Sequence, residues 1–243
     1  MALVFFAKAP VPGEVKTRLC PPLTHDEAAT LHGSLVLDAL ERSRPGGGGK
    51  TKSAKPGPDR WLACSPTMNH PFFRIMEERQ GVRLMEQHGE DLGARMAQAF
   101  SSLFAQGYQQ VVLVGTDLPV LPATHCTQAF SLLNTHDLVL GPSTDGGYYL
   151  IGLRRPVPDL FVGIPWSTEH VFEKTQALAT HLGLQMSLLP QVRDLDTADD
   201  LLAVIEDTGL LQSKNCPPSL TNRTASVLRM LHERLTAWPE ESE

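Results

Sequence analysis

The chain has 243 residues, 42% of them hydrophobic, and a formal net charge of −6. That length allows one large domain or two small ones, and the ordinary composition excludes disordered, collagen-like and disulfide-scaffold classes. Residues 42–60 hold six Lys/Arg and one Asp while the remainder is acidic, so nucleic acid is not an expected partner.

Cys20, Cys64, Cys126 and Cys216 are scattered without a CxxC pair, so neither a zinc site nor a disulfide framework is expected. The N-terminal MALVFFAKAPVPG is apolar for six residues and then turns basic, the wrong order for a secretion signal. No apolar run approaches the ~18 residues of a membrane helix. A cytoplasmic protein with no membrane partner is the expectation.

Ala2–Ala7 predicts a first strand. The next stretch, Lys8-Ala-Pro-Val-Pro12-Gly13-Glu-Val-Lys16-Thr-Arg18, has too much proline and glycine for regular structure and carries three cations. A basic loop after strand one is where α/β nucleotide enzymes hold phosphates. Lys16-Thr17 resembles the end of a P-loop, but Val15 stands where its second glycine belongs, and GxGxxG is absent. A surface loop with solvated charges is the plainer alternative.

Thr24 to Arg42 predicts an amphipathic helix, with Thr24 and Glu27 in a capping-box pattern. His25 and His32 read as surface or packing histidines. Residues 43–60 are Gly-, Pro- and Lys-rich and read as a flexible insertion. Trp61–Cys64 and Val82–Glu86 predict strands, with a short helix over Asn69–Arg79 between them. A further helix runs to about Gln106. The Gln87–Met96 stretch that opens it could form a nucleotide-base or ribose loop, or simply a cap.

Val111–Val114 is a run of apolar, mostly β-branched residues, the pattern of a strand buried on both faces. It meets Gly115-Thr116-Asp117 and stops at Pro119, which cannot continue a central strand. Asp117 therefore falls at the strand's carboxyl end, the edge where open α/β sheets bind ligands. A carboxylate there could hold Mg²⁺ against phosphates; alternatively it caps the helix beginning near Pro122.

Ala123–Asn134 predicts a helix and Asp137–Gly141 a strand. Asp145-Gly146-Gly147 is a turn signal before the strand Tyr148–Leu153, so a hairpin is one reading. Adjacent glycines also let backbone approach a ligand, which makes Asp145 a candidate substrate-binding or catalytic carboxylate. Trp166 either lines an acceptor pocket or fills the core. Ser167 is the expected cap of a helix ending near His181. Leu184–Leu189 predicts the last strand. Asp196 or Thr197 caps the next helix, and four carboxylates in the run Asp194–Asp200 also allow a cation site. A tail helix over Thr221–Trp238 either packs on the core or joins two copies in a homodimer.

Three motifs, FAKAPVPGEVKTRL, VGTDLP and LGPSTDGGYYLIGL, closely resemble an uncharacterised family of glycosyltransferase-like proteins related to 2-phospholactate guanylyltransferase. Some of its members are linked to radical-SAM/selenodomain gene neighbourhoods. DLDTADDL is similar to its closing motif. The resemblance covers residues 1 to about 210, leaving out the 43–60 insertion and the C-terminal helical extension over 211–243, and implies a three-layer α/β/α, mostly parallel GT-A nucleotide-diphospho-sugar transferase fold. It implies that Lys8, Pro12, Gly13, Lys16 and Arg18 hold nucleotide phosphates. Gly115, Thr116, Gly146 and Gly147 complete the expected nucleotide-binding set, and the resemblance implies that Asp117 and Asp196 hold Mg²⁺ or Mn²⁺. Asp194 is the weaker second ligand. The sugar-transferase signature D-x-D is absent around Asp117, where the run is Thr116-Asp117-Leu118, and the nucleotidyltransferase signature G-x-G-x-R is replaced by P-G-x-x-K-T-R.

Three cations suit a triphosphate better than a diphosphate. Nucleotidyl transfer to a small phosphorylated or acidic acceptor therefore ranks first, with Lys16, Arg18 and Asp145 as the catalytic set. Glycosyl transfer from a nucleotide sugar, with Asp145 as general base, and a non-catalytic nucleotide-binding protein are the alternatives.

Overall fold

The computed structural model describes residues 1–44, 57–120, 122–212, 215–217 and 219–237. The Gly- and Lys-rich part of the expected insertion, residues 45–56, lies outside them.

Among the described residues the strands are β1 (Ala2–Lys8), β2 (Asp59–Ser65), β3 (Arg83–Glu86), β4 (Val111–Gly115), β5 (Leu138–Pro142), β6 (Tyr148–Leu153) and β7 (Met186–Leu188). They form one sheet in the order β3-β2-β1-β4-β6-β5-β7. Strand β6 alone runs antiparallel to its neighbours β4 and β5. The reason is local. The Asp145–Gly147 turn reverses the chain directly after β5, with Gly146 at φ +84° and Ser143 N–H donating to the Gly147 carbonyl at 3.1 Å. The hairpin reading of this stretch is therefore correct.

Alternation along the strands separates two cores. Leu3, Phe5, Ala7, Val112 and Val114 face the first, beneath α1 (His25–Arg42), α2 (Pro71–Gln80) and α4 (Ala123–Leu132). Ala2, Val4, Val111 and Leu113 face the second, beneath α3 (Leu92–Ala105) and α5 (Val171–His181). Helices on both faces of a mostly parallel sheet give the expected three-layer arrangement. A third cluster lies on the far side of α1. There Leu31 and Leu35 meet α6 (Ala198–Asp207), α7 (Asn222–Ala237), Leu19 and Leu195.

Both capping boxes form. Thr24 pairs with Glu27 at the start of α1, and Thr197 with Asp200 at the start of α6. The Ser167 cap does not. Helix α5 begins at Val171 behind His170, and Ser167 sits at φ +65° upstream. Phe172 N–H donates to the Gly146 carbonyl at 2.9 Å, which ties the first turn of α5 to the hairpin turn and starts the helix late. The tail helix packs on the body through buried Leu228 and Leu231.

Trp166 is half-buried and fills space between elements. Its ring stacks on Phe161 at 6.4 Å and meets Tyr148 edge-on at 6.5 Å. It also lies over Gly93 in the first turn of α3, where a Cβ would come within 2.4 Å of the indole. Gly93→Ala should therefore expel the ring and cost about 1–3 kcal/mol. A red-shifted tryptophan emission with a lowered melting temperature is the expected result; unchanged emission would contradict this packing.

Asp137 precedes β5 and is buried. It accepts from Gln185 N–H at 3.0 Å and from Arg154 at 2.8 Å. The Gln185 amide first, then the Arg154 guanidinium, hold its carboxyl below the ordinary value against the opposing effect of burial. A depressed folded-state pKa stabilises the fold above the unfolded value of about 3.9, and that gain fades as pH falls below it. Asp137→Asn should cost about 1–3 kcal/mol at neutral pH. Urea melts at pH 7 and at pH 3 should show the gap to wild type closing at the lower pH.

Candidate active site

The carboxyl edge of the central strands gathers chain segments from three distant parts of the sequence. Leaving β4, Thr116 is buried and its hydroxyl donates to the Phe6 carbonyl at 3.1 Å, locking the strand end to β1. Asp117 follows. The segment after β7 runs beside the end of β5, with Val192 N–H donating to the Pro142 carbonyl at 3.1 Å. It then crosses to β4, where Leu195 N–H donates to the Asp117 carbonyl at 3.1 Å. Asp194 and Asp196 arrive beside Asp117 by this route.

Lys16 enters from the loop after β1. It stands at φ +51°, ψ +35°, just ahead of a 3₁₀ turn over Thr17–Leu19. Its side chain is 3% exposed, and Nζ lies 2.7 Å from Asp117 Oδ1, 2.7 Å from Asp196 Oδ1 and 2.6 Å from the Leu195 carbonyl. Burial opposes the Lys16 charge, but Asp117 and Asp196 outweigh it and hold the pKa above that of an ordinary lysine. Asp117 is opposed by desolvation in the same way. Lys16, then His32, win and keep its carboxyl well below the usual range.

His32, expected to be a surface or packing residue, is buried in α1 against this site. Its Nδ1 is 3.3 Å from Asp117 Oδ1, and its Nε2 is 3.1 Å from the Lys8 carbonyl. A signal was present in the sequence: His32 shares the helical spacing of Val36 and Ala39, both buried, so a polar residue sits on the inward face of α1.

On the other side of Asp196, ligand-type oxygens of Asp145, Asp194 and Asp196 all lie within 4.8 Å of one another. Desolvation, then the charges of Asp145 and Asp196, push the Asp194 carboxyl up to about 6. Asp194 Oδ1 accepts from the Thr144 hydroxyl at 3.2 Å. Asp145 accepts from the Ser143 hydroxyl and from Gly147 N–H at 2.9 Å, so it also shapes its own turn. Gly146 is required by the protein itself, because a Cβ there would lie 2.1 Å from the Glu169 carbonyl. Lys8, Pro12, Gly13 and Arg18 surround Lys16 in sequence; Lys8, Gly13 and Arg18 are exposed and Pro12 lies in the same loop. Gly115 is partly open, with only the Tyr149 carbonyl within 4 Å of a notional Cβ. The edge thus sets four carboxylates against one buried ammonium.

A concavity of about 850 Å³ opens at the opposite, amino-terminal edge of the sheet, lined by Asp59, Arg83, Tyr108 and Arg154 among others. None of the motif residues reaches it, and its charged groups pair among themselves or with Asp137. No helix among the described residues is long and apolar enough to cross a membrane.

Residues 50–168 match the sequence profile of a family described as "Uncharacterized protein conserved in bacteria (DUF2064)". Phosphoenolpyruvate guanylyltransferase of Chloroflexus aggregans is 30% identical over 146 residues, which is 58% of this chain and 68% of that protein. The chain belongs to the DUF2064 family. A second relative, 3-phospho-D-glycerate guanylyltransferase of Phenylobacterium zucineum, is 31% identical over 144 residues, covering 59% of this chain and 62% of that one. A solved structure from Desulfovibrio desulfuricans G20, described as a nucleotide-diphospho-sugar transferase, superposes with a TM-score of 0.82 at 31% identity, covering 97% of this chain and 96% of that one. The fold is that of the GT-A-like nucleotide-dependent transferases, as the motifs implied.

Proposed function

We propose that this DUF2064 protein transfers a guanylyl group from GTP to a small phosphorylated carboxylic acid of the phosphoenolpyruvate or 3-phosphoglycerate kind. The observation that carries the reading is the Lys16 ammonium, buried between Asp117 and Asp196 in the loop where this fold holds phosphates. The two guanylyltransferase homologues supply the nucleotide and the acceptor class.

The residues fit a divalent cation. Two carboxylate oxygens and a backbone carbonyl, hard oxygen donors of the kind Mg²⁺ and Mn²⁺ take, already surround a positive charge here. Asp117 and Asp196 would hold the ion, with Asp194 and Asp145 beside it. When bound, it neutralises phosphate oxygens and the charge developing on the leaving pyrophosphate.

The chain's own residues then position the reactants. Lys8 and Arg18, exposed on the loop, meet the triphosphate; Arg18 offers a bidentate fork and Lys8 a point charge. An acceptor phosphate oxygen attacks the α-phosphorus, a new P–O bond forms, and the bond to the β-phosphate oxygen breaks as pyrophosphate leaves. A phosphate ionised at neutral pH has no proton to surrender, so this reaction needs no general base. Asp145 in this reading adds negative charge around the cation and orders the hairpin turn. Positioning and charge neutralisation are the chemistry required.

A thermal-shift screen tests the donor. GTP with Mg²⁺ should stabilise the protein above the other nucleoside triphosphates, by about 2.7 kcal/mol at 100 times its dissociation constant. Stabilisation by GDP- or UDP-sugars and by no triphosphate would favour glycosyl transfer, the activity in the name of the Desulfovibrio structure.

A further inference from the structure

The Lys16 side chain occupies the space that a bridging cation would need. Its Nζ is 2.6–2.7 Å from Asp117 Oδ1, Asp196 Oδ1 and the Leu195 carbonyl, and the side chain is 3% exposed. An ammonium and a divalent ion cannot share those three oxygens. The backbone gives a second sign. Lys16 is one of only two non-glycine residues at positive φ among the described residues. Such a conformation persists when its surroundings over-determine it, and here the three oxygens do so.

We propose that Lys16 is a resident stand-in cation. It closes the Asp117–Asp196 pair in the nucleotide-free protein, competes with the divalent ion for it, and gives it up when metal and nucleotide arrive together. This rests on the metal reading above.

Displacement has a chemical logic. Without Lys16, the Asp145–Asp194–Asp196 cluster and the neighbouring Asp117 would gather at one edge with, among the described residues, only His32, beside Asp117, to offset their charge. With Lys16 in place, the edge stays assembled between turnovers and holds free metal weakly. Nucleotide phosphates offer the ammonium an alternative anionic partner, so the exchange keeps charge balanced at every stage. The long, flexible lysine stem suits such a swing better than a rigid guanidinium would. The loop that carries it is anchored on either side of the moving group, by Val15 and Leu19, both buried.

The test is Mn²⁺ binding to the full-length protein without nucleotide, followed by electron paramagnetic resonance, for wild type, Lys16→Met and Lys16→Met/Asp117→Asn. Removing the competing charge should tighten Mn²⁺ binding by about tenfold or more, equivalent to at least about 1.4 kcal/mol. The double variant should lose that gain. Lys16→Met that binds Mn²⁺ no tighter than wild type overturns the proposal and leaves the metal reading standing. If wild type binds no Mn²⁺ even with GTP present, the metal reading itself fails. Should Lys16→Met not fold alone, Lys16→Gln, which keeps a donor for the Leu195 carbonyl, takes its place. Melting curves then decide: recovery of the folded state by Mn²⁺ supports displacement, and no recovery contradicts it.

Discussion

Asp117→Asn should abolish turnover and leave the fold standing. Asparagine keeps the volume of aspartate but removes the charge, and with it a hard oxygen ligand for a divalent ion. Partners one shell further from a metal are worth about 10- to 100-fold, so loss of a direct ligand should lower kcat/KM by more than about 100-fold. The fold should tolerate the change because the backbone at this position carries the structural link: the Asp117 carbonyl accepts from Leu195 N–H whatever the side chain. The side chain is 48% exposed as a whole, although Oδ1, which meets Lys16, is buried, so the neutral amide oxygen of asparagine can still accept from the Lys16 ammonium. Steady-state kinetics with a parallel melting curve separates the two effects. Wild-type activity in the Asn variant would remove Asp117 from the metal site.

The largest effect on stability should come from a residue outside the site. Asp38 in α1 is 0% exposed, and its carboxylate accepts from the hydroxyls of Thr221 and Thr224 and from the guanidinium of Arg223. These three donors form the entrance to α7. Thr221 also receives Thr224 N–H at 3.1 Å, so the Asp38 charge lies at the positive end of that helix. Asp38→Ala removes all three contacts and leaves the buried Thr224 hydroxyl without its acceptor. Arg223 keeps Glu41 at 3.3 Å, which limits the damage. A loss of about 3 kcal/mol is expected, or roughly 6–12 °C in melting temperature for a chain of this size. The consequence should reach the site, because α7 shares its apolar cluster with Leu19 and Leu195, neighbours of Lys16 and Asp196. Hydrogen exchange should show α7 and the Lys16 loop loosening together. Loosening confined to α7 would show that the cluster does not hold the loop.

The strand run Val111–Val114 was legible because a fully buried strand is written in consecutive apolar, mostly β-branched residues, with Gly115 and then Pro119 marking its end. The hairpin was legible because Asp-Gly-Gly leaves few other options for the backbone. Ser167 misled because its chemistry suits a helix cap, while tertiary contact between Gly146 and the start of α5 decides where the helix begins. The site was half legible. Sequence could place Lys16 and Asp117 at one edge of the sheet, since both follow parallel strands. It could not show that Lys16 Nζ meets Asp196, 180 positions away, because that contact depends on how the segment after β7 crosses to β4. His32 escaped for a related reason. A histidine on the buried stripe of a helix is ordinary until the neighbouring element delivers a carboxylate to it. Asp194 was visible only as one acid in an acidic run, and its raised carboxyl arises from burial first and then from Asp145 of the hairpin turn and Asp196.

The most direct measurement is pyrophosphate release from GTP by the full-length protein, offered phosphoenolpyruvate or 3-phosphoglycerate with and without Mg²⁺, with the second product weighed by mass spectrometry. Guanylyl transfer predicts pyrophosphate appearing in step with a guanylylated acceptor, and only when acceptor and divalent ion are both present. GTP left intact with either acceptor, alongside release of GDP from a GDP-sugar, would contradict it.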